Sequence, residues 1–363
     1  MNDAIVAALA AYIPRDRVEQ LLRPTTRMPP DGVALIADIS GFTPLTEALT
    51  RGLQADQGAE ELTRALDGVF TPLIAVLDGY RGSVIKFGGD ALIVWFARPP
   101  GTPAAATIRR AAAAGLRMQH AIERYGRVPT PIGPVVLRMK VGFAFGTARR
   151  FALGLPEYGF EDVLGGATLD RMAEAEHHAE PGEVLTDAAT FAAAAGALVP
   201  AAERDGFVVI GGLDRRPRVR PWPALSFSDP VRAAATLQPY VPAQIVAQIS
   251  AGRANVAELK PVVSLFVQFH GIDYDAYVAV EARLQEYFAG AQRVAARYGG
   301  RVNRLITGDK GSLLHIIFGA PQAVEEQEVR AVRCALDLQE ACGGLPFIHM
   351  QRIGITSGRV FAG

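Results

Sequence analysis

Two carboxylates are the residues of this 363-residue chain best placed to do chemistry. Asp38 follows the apolar run Val33-Ala34-Leu35-Ile36-Ala37 and precedes the turn Ile39-Ser40-Gly41-Phe42-Thr43. An apolar run this short, bounded by Asp31-Gly32 and Ser40-Gly41, reads as a buried strand. A carboxylate at its exit must be paired, hydrogen-bonded or metal-bound, because burying it alone is too costly. Asp90 closes Phe87-Gly88-Gly89-Asp90, which has the length and glycines of a hairpin turn between strands Ser83–Lys86 and Ala91–Phe96. If these elements are neighbours in one sheet, the carboxylates converge. With the Ile39 carbonyl they form a typical ligand set for Mg²⁺ or Mn²⁺ in phosphate chemistry. Backbone N–H groups of Ser40, Gly41, Phe42 and Thr43, ahead of a helix start, can receive a polyphosphate. The plainer alternative is that Asp38 caps a helix and Asp90 shapes a turn.

The elements that must position these groups follow from periodicity. Leu62, Leu66, Val69, Phe70, Leu73, Ile74 and Leu77 form one stripe of a helix over Glu60–Leu77, in which Pro72 predicts a kink or break. Ala104–Tyr125 is a second helix, Val135–Phe145 a strand, and Gly182–Thr186 a short strand. The order strand, helix, hairpin, helix, strand predicts an α+β fold, a mostly antiparallel sheet covered by helices in a ferredoxin-like arrangement.

The pattern occurs twice. Tyr12-Ile13-Pro14 and Tyr240-Val241-Pro242 each open a helix, and Val33–Ala37 matches Val262–Val267. Tyr80-Arg81-Gly82 and Tyr298-Gly299-Gly300 each lead to a Gly-Asp pair, Gly89-Asp90 and Gly308-Asp309. Val141-Gly142-Phe143 matches Ile353-Gly354-Ile355. Four matches in one order imply two copies of one domain type, the second reading as incomplete. The expected layout is an N-terminal pre-helix segment at 1–30, a first domain at 31–205, a linker and second pre-helix at 206–258, and a second domain at 259–363. Two such copies are expected to pair with each other pseudo-symmetrically, as subunits do in C2 dimers.

Lys plus Arg and Asp plus Glu both number 37, so the net charge is zero and the surplus of a nucleic-acid binder is absent. Cys334 and Cys342 make neither a disulfide framework nor a CxxC metal site and read as buried thiols of a reducing cytoplasm. No transmembrane run and no signal peptide are expected. The basic, proline-rich stretch Asp214–Pro223 reads as a linker or exposed connection in preference to an anion-binding patch, and His177-His178 as a solvated surface pair. No G-x-x-x-x-G-K-[ST] sequence is present, which excludes a P-loop.

Ala37-Asp38-Ile39-Ser40-Gly41-Phe42 together with Lys86-Phe87-Gly88-Gly89-Asp90-Ala91-Leu92 resembles the two metal-binding segments of class III nucleotide cyclases. The tandem arrangement, the two pre-helices and Asn303-Arg304…Asp309-Lys310-Gly311 are most similar to the bicarbonate-responsive soluble adenylyl cyclases. The resemblance implies an adenylate cyclase core that converts ATP to 3′,5′-cyclic AMP and pyrophosphate at the domain interface. Two Mg²⁺ or Mn²⁺ ions would be held by Asp38, Ile39 and Asp90. Arg304 would stand at the base-reading position, where the family usually has Lys. Lys86, Val163 and Arg171 would form a regulatory site for bicarbonate; the alternative is that Lys86 and Arg171 pair with carboxylates such as Asp170.

Departures matter as much. Gln268 stands where Asp38 stands in the first copy, so a second metal site is not expected. Leu169 and Ala173 occupy the family's transition-state Asn and Arg positions, so those groups are expected from the second copy, beyond Gly363. The chain therefore reads as an N-terminal piece of a longer protein, inactive or nearly so alone. The competing reading is a degenerate cyclase pair that senses nucleotide or bicarbonate for an attached domain. A diguanylate-cyclase reading of Gly88-Gly89-Asp90 is disfavoured by Ala91, where that family is acidic.

Overall fold

The computed structural model describes residues 3–23, 28–52, 55–252, 258–276, 278–308 and 311–362. Helices α1 (Asp3–Ala10) and α2 (Arg15–Leu22) precede strand β1 (Asp31–Ser40), helices α3 (Phe42–Gly52) and α4 (Ala55–Gly79), and hairpin β2 (Ser83–Gly88) and β3 (Ala91–Ala97). Helix α5 (Ala104–Tyr125), the short pair β4 (Arg127–Val128) and β5 (Val135–Val136), and β6 (Arg138–Thr147) follow. Next come β7 (Arg149–Leu155), β8 (Gly159–Gly165), α6 (Ala167–His177), β9 (Val184–Asp187), α7 (Ala188–Ala193), β10 (Leu198–Arg204) and β11 (Phe207–Leu213). The last third holds α8 (Pro230–Leu237), α9 (Ala243–Ser250), β12 (Glu258–His270), α10 (Val280–Arg297), β13 (Arg301–Ile306), β14 (Ser312–Phe318), α11 (Gln327–Ala341) and β15 (Met350–Ala362).

The chain divides into two units. The Asp38 unit comprises Pro14–Ala148 and Ala167–Leu225. Its seven-stranded sheet has the order β10-β11-β9-β6-β1-β3-β2, antiparallel except where β6 meets β9. Val33, Leu35, Ala37 and Ile39 of β1 are buried in the main core with residues of α4 and α5, including Leu73 and Ala111. Side chains alternate across a strand, so Ala34, Ile36, Asp38 and Ser40 occupy the other face, against which α6 packs. Gly142 makes that approach possible, because a Cβ there would lie 2.4 Å from the Glu176 backbone nitrogen and 2.7 Å from the Met172 carbonyl oxygen.

The Gln268 unit comprises Met1–Ile13, Arg149–Gly166 and Ser226–Gly363. Its antiparallel sheet has the order β13-β14-β12-β15, matching β2-β3-β1-β6 strand for strand. The register matches too: Ile36 pairs with Gly142 as Phe266 pairs with Gly354. The hairpin β7–β8 belongs to this unit, with Phe151, Leu153 and Val163 in its core. Two glutamines of α10 read the hairpin's backbone. Gln285 accepts from Gly154 N–H and donates to Gly154 O, both at 2.8 Å. Gln292 accepts from Leu155 N–H at 2.9 Å and donates to Gly159 O at 2.8 Å.

Several expectations need correcting. A boundary at residue 205 would cut the hairpin β10–β11, whose second strand also pairs with β9, so the first sheet runs on to Leu213. The N-terminal segment is divided, α1 lying in the Gln268 unit and α2 in the Asp38 unit. Helix α4 continues through Pro72, with Val69, Leu73 and Leu77 holding both sides of the proline in the core. His178 is not simply solvated: its ring stacks on Phe207 with centroids 4.3 Å apart. Cys334 and Cys342 are buried free thiols. Asp309 and Lys310 lie outside the described residues.

Substituting Gly142→Ala forces the α6 backbone off the sheet. The expected loss is about 1–3 kcal/mol, the usual cost of overpacking, read as a lower urea midpoint at unchanged slope.

Candidate functional site

Asp38 and Asp90 are brought together by sheet pairing. Asp38 is in register with Ala91 of β3, the residue after Asp90. The Ile39 N–H donates to the Asp90 carbonyl at 3.2 Å, which ties the end of β1 to the hairpin turn. Gly89, at φ 76, provides the left-handed step that turns the chain there. Burial, and then the neighbouring Asp90 charge, raise the Asp38 pKa above the ordinary carboxylate range, against the opposing charges of Lys140 and His177.

Lys140 and Glu176 were not legible beforehand. Lys140 pairs in register with Asp38 across β6, and its ammonium lies 3.9 Å from a carboxylate oxygen of Glu176 at the end of α6. Burial and the Asp38 charge raise the Glu176 pKa, with Lys140 and His177 opposing. The one available signal was Lys140 standing two residues before Gly142, in the strand that repeats as Ile353-Gly354. Among the described residues no three His, Cys, Asp or Glu side chains form a group that could hold a metal ion. The donors expected from the sequence are the Asp38 and Asp90 carboxylates and the Ile39 carbonyl. Two half-buried carboxylates that repel each other suit a hard divalent cation, which would relieve the repulsion.

The turn after Asp38 is shaped for close approach. Gly41 has φ 96, and a Cβ there would lie 3.1 Å from the Val136 carbonyl oxygen. Helix α3 begins at Phe42, so the N–H groups of Phe42 and Thr43 sit in its first turn, free of intrahelical partners. Ser40 donates weakly to the Arg138 carbonyl at 3.4 Å.

The expected anion site fares differently. The Arg171 guanidinium donates from Nε to Asp187 at 2.7 Å, from Nη1 to the Phe145 carbonyl at 3.1 Å and from Nη2 to Thr190 at 3.2 Å. Asp187, not Asp170, is its ion-pair partner, and Asp187 also caps α7 through the Thr190 N–H at 2.6 Å. Lys86 is half-buried on β2, while Val163 lies in the core of the Gln268 unit.

Arg304 stands on β13 of the Gln268 unit, in register with His315. Burial, and then the Arg304 charge, push His315 down to about 4, so this imidazole is neutral at neutral pH. Its Nδ1 lies 3.0 Å from the Asn303 amide nitrogen, and its ring stacks on half-exposed Phe266 with centroids 4.7 Å apart. A cation thus lies beside a flat aromatic pair. Gln268 of the same unit pairs with Leu313 and Arg352, where Asp38 pairs with Ala91 and Lys140.

No family model matches the chain. It is 24% identical, over 92% of its length, to adenylate cyclase type 10 of Homo sapiens, and equally to that of Mus musculus. The chain spans 22% of the length of these relatives. Among solved structures, a Class III adenylyl cyclase-like ATP-binding protein from Pseudomonas aeruginosa aligns with 99% of this chain and 84% of its own, with TM-score 0.60 and 16% identity. The resemblance to class III cyclases carried by the two aspartate segments and the α+β fold expected from the element order are both met. No helix among the described residues is long and apolar enough to cross a membrane.

A carboxyl whose folded pKa is raised favours folding when protonated, and that contribution is lost as pH rises through the folded value. Ionised Asp38 is therefore a cost to the metal-free protein at neutral pH. In the presence of chelator, Asp38→Asn is expected to raise the thermal midpoint. Added Mn²⁺ should stabilise the wild type and leave the variant unmoved. A variant that Mn²⁺ stabilises equally would separate Asp38 from metal binding.

Proposed function

We propose that this chain is the catalytic core of an adenylate cyclase, forming 3′,5′-cyclic AMP and pyrophosphate from ATP. The observation that carries the reading is the convergence of Asp38 and Asp90 in one copy of the duplicated fold, with Gln268 at the matching register in the other. Asp38, the Ile39 carbonyl and Asp90 would hold two Mg²⁺ or Mn²⁺ ions. When bound, the ions supply Lewis-acid activation of the ribose 3′-hydroxyl and charge neutralisation on the departing pyrophosphate. The chain's own groups do the positioning. N–H groups of Phe42 and Thr43 receive phosphate oxygens, and Lys140, opposite Asp38, adds a cation on the same face. Arg304 donates hydrogen bonds to the base. Its fixed planar fork is not equivalent to a lysine at that position, so the preference for ATP over GTP is set by how that fork meets the purine edge.

Bicarbonate regulation through Lys86, Val163 and Arg171 belongs to the same reading. Arg171 would have to give up Asp187 to serve it, which makes Lys86 the more informative residue. In the protein as the cell makes it, Lys86→Ala is expected to abolish stimulation by bicarbonate with little change in the basal rate. Stimulation that survives removes the regulatory role.

The function itself is tested, in the protein as the cell makes it, by cyclic AMP formation from ATP with Mg²⁺ or Mn²⁺. Asp38→Ala is expected to lower the rate by about two to three orders of magnitude or more, the lower bound being the range seen when one transition-state charge partner is lost. A protein that makes no cyclic nucleotide with either metal, with or without bicarbonate, would instead support the degenerate pair as a sensing module.

A further inference from the structure

The proline-rich stretch after β11 is a fastened strap. Arg109 of α5 grips its first residue, Asp214, with two charged hydrogen bonds of 2.7 and 2.9 Å. The Arg220 N–H donates to Gly79 O at 2.8 Å, and the Trp222 indole N–H donates to Gly82 O at 3.2 Å. Arg81, held at the left-handed φ of 54, donates from Nε to Arg220 O at 3.2 Å. Arg15 donates to Pro223 O and lies over the Trp222 ring.

Between these fastenings the strap carries Arg215, Arg216, Arg218 and Arg220, all exposed. The Arg215 charge acts on neighbouring Asp214, and Arg216, Arg218 and Arg220 make no ion pair among the described residues, although the chain as a whole carries no net charge. Pro217, Pro221 and Pro223 fix their own φ and push the residues before them into extended conformations. The strap is therefore a pre-extended rod. Arg81 also adds its charge to buried Arg110, which burial and that charge hold down to about 10 and which donates to the Ala97 carbonyl.

Like charges fixed at close spacing on a rigid backbone repel one another and favour a counter-charge of matching shape. Arg216, Arg218 and Arg220 recur at every second residue. In an extended chain that spacing is about 6.5–7 Å, which alternate carboxylates of another extended chain reproduce. Guanidinium forks pair with carboxylates through two parallel hydrogen bonds, and a rod that is already extended loses little freedom on binding. We propose that Asp214–Pro223 is a docking strap for an extended acidic segment of a partner protein, with alternating Glu or Asp side chains paired to Arg216, Arg218 and Arg220.

The test is fluorescence anisotropy of the whole chain with a labelled eight-residue Glu-Ser repeat, and with a Gln-Ser repeat as the neutral control. The Glu-Ser peptide is expected to bind with an affinity that falls as salt rises, and the Gln-Ser peptide not to bind. The triple substitution Arg216→Gln, Arg218→Gln and Arg220→Gln should weaken binding by about tenfold or more. Trp222→Phe keeps every charge but releases the tether to Gly82 O, and should weaken binding roughly two- to fivefold. Equal binding by the triple variant, or no binding by the wild type, overturns the proposal. So does displacement of the peptide by single-stranded DNA or by phosphatidylserine vesicles at a lower charge concentration, which would mark a general polyanion surface.

Discussion

Strand β1 is paired on both sides, and every other consequence at the site descends from that constraint. With β3 and β6 as its neighbours, its backbone is fully engaged and its odd-numbered side chains are committed to the core. Only the even-numbered face remains for chemistry, and most of that face is covered by α6. Asp38 sits where the cover ends. It is far enough in to lose part of its hydration and near enough to the hairpin turn to feel Asp90. A carboxylate in that position is uncomfortable without a cation, and this discomfort is what a divalent ion can exploit.

The duplication separates what the fold requires from what chemistry requires. Both copies keep the four-strand order, the antiparallel register and a glycine opposite the second residue before the strand-end polar group. The residues on the open face have diverged: Asp38 to Gln268, Lys140 to Arg352, Ile36 to Phe266. The first copy concentrates acidic groups with a balancing lysine, while the second has an aromatic pair, Phe266 and His315, beside Arg304. One scaffold thus carries a charged face in one copy and an aromatic face beside a cation in the other.

Local pattern carried most of the fold and half of the site. Helix α5 spans the residues that the sequence predicts, Ala104–Tyr125, because helical periodicity is a local signal. Asp38 and Asp90 were legible for the same reason, each being marked by its own strand or turn. Lys140 and Glu176 were not, since their relevance comes from cross-strand register and from where α6 lands. The hairpin β7–β8 looks like a continuation of the first copy; its packing into the other unit's core and against Gln285 and Gln292 assigns it there. The strap from Asp214 was read as a linker because its fastenings are mostly to backbone carbonyls, which leave no trace in side-chain pattern.

The route of the chain has a consequence for how the protein can be divided. The polypeptide passes between the two units at residues 13–14, 148–149, 166–167 and 225–226. Neither unit is therefore one uninterrupted stretch of chain. Cutting after β11 would take the hairpin away with the wrong partner and strip Phe151, Leu153 and Val163 from the core they complete. The copies are stitched rather than strung. Either copy can be separated from the other only by cutting the chain at more than one place.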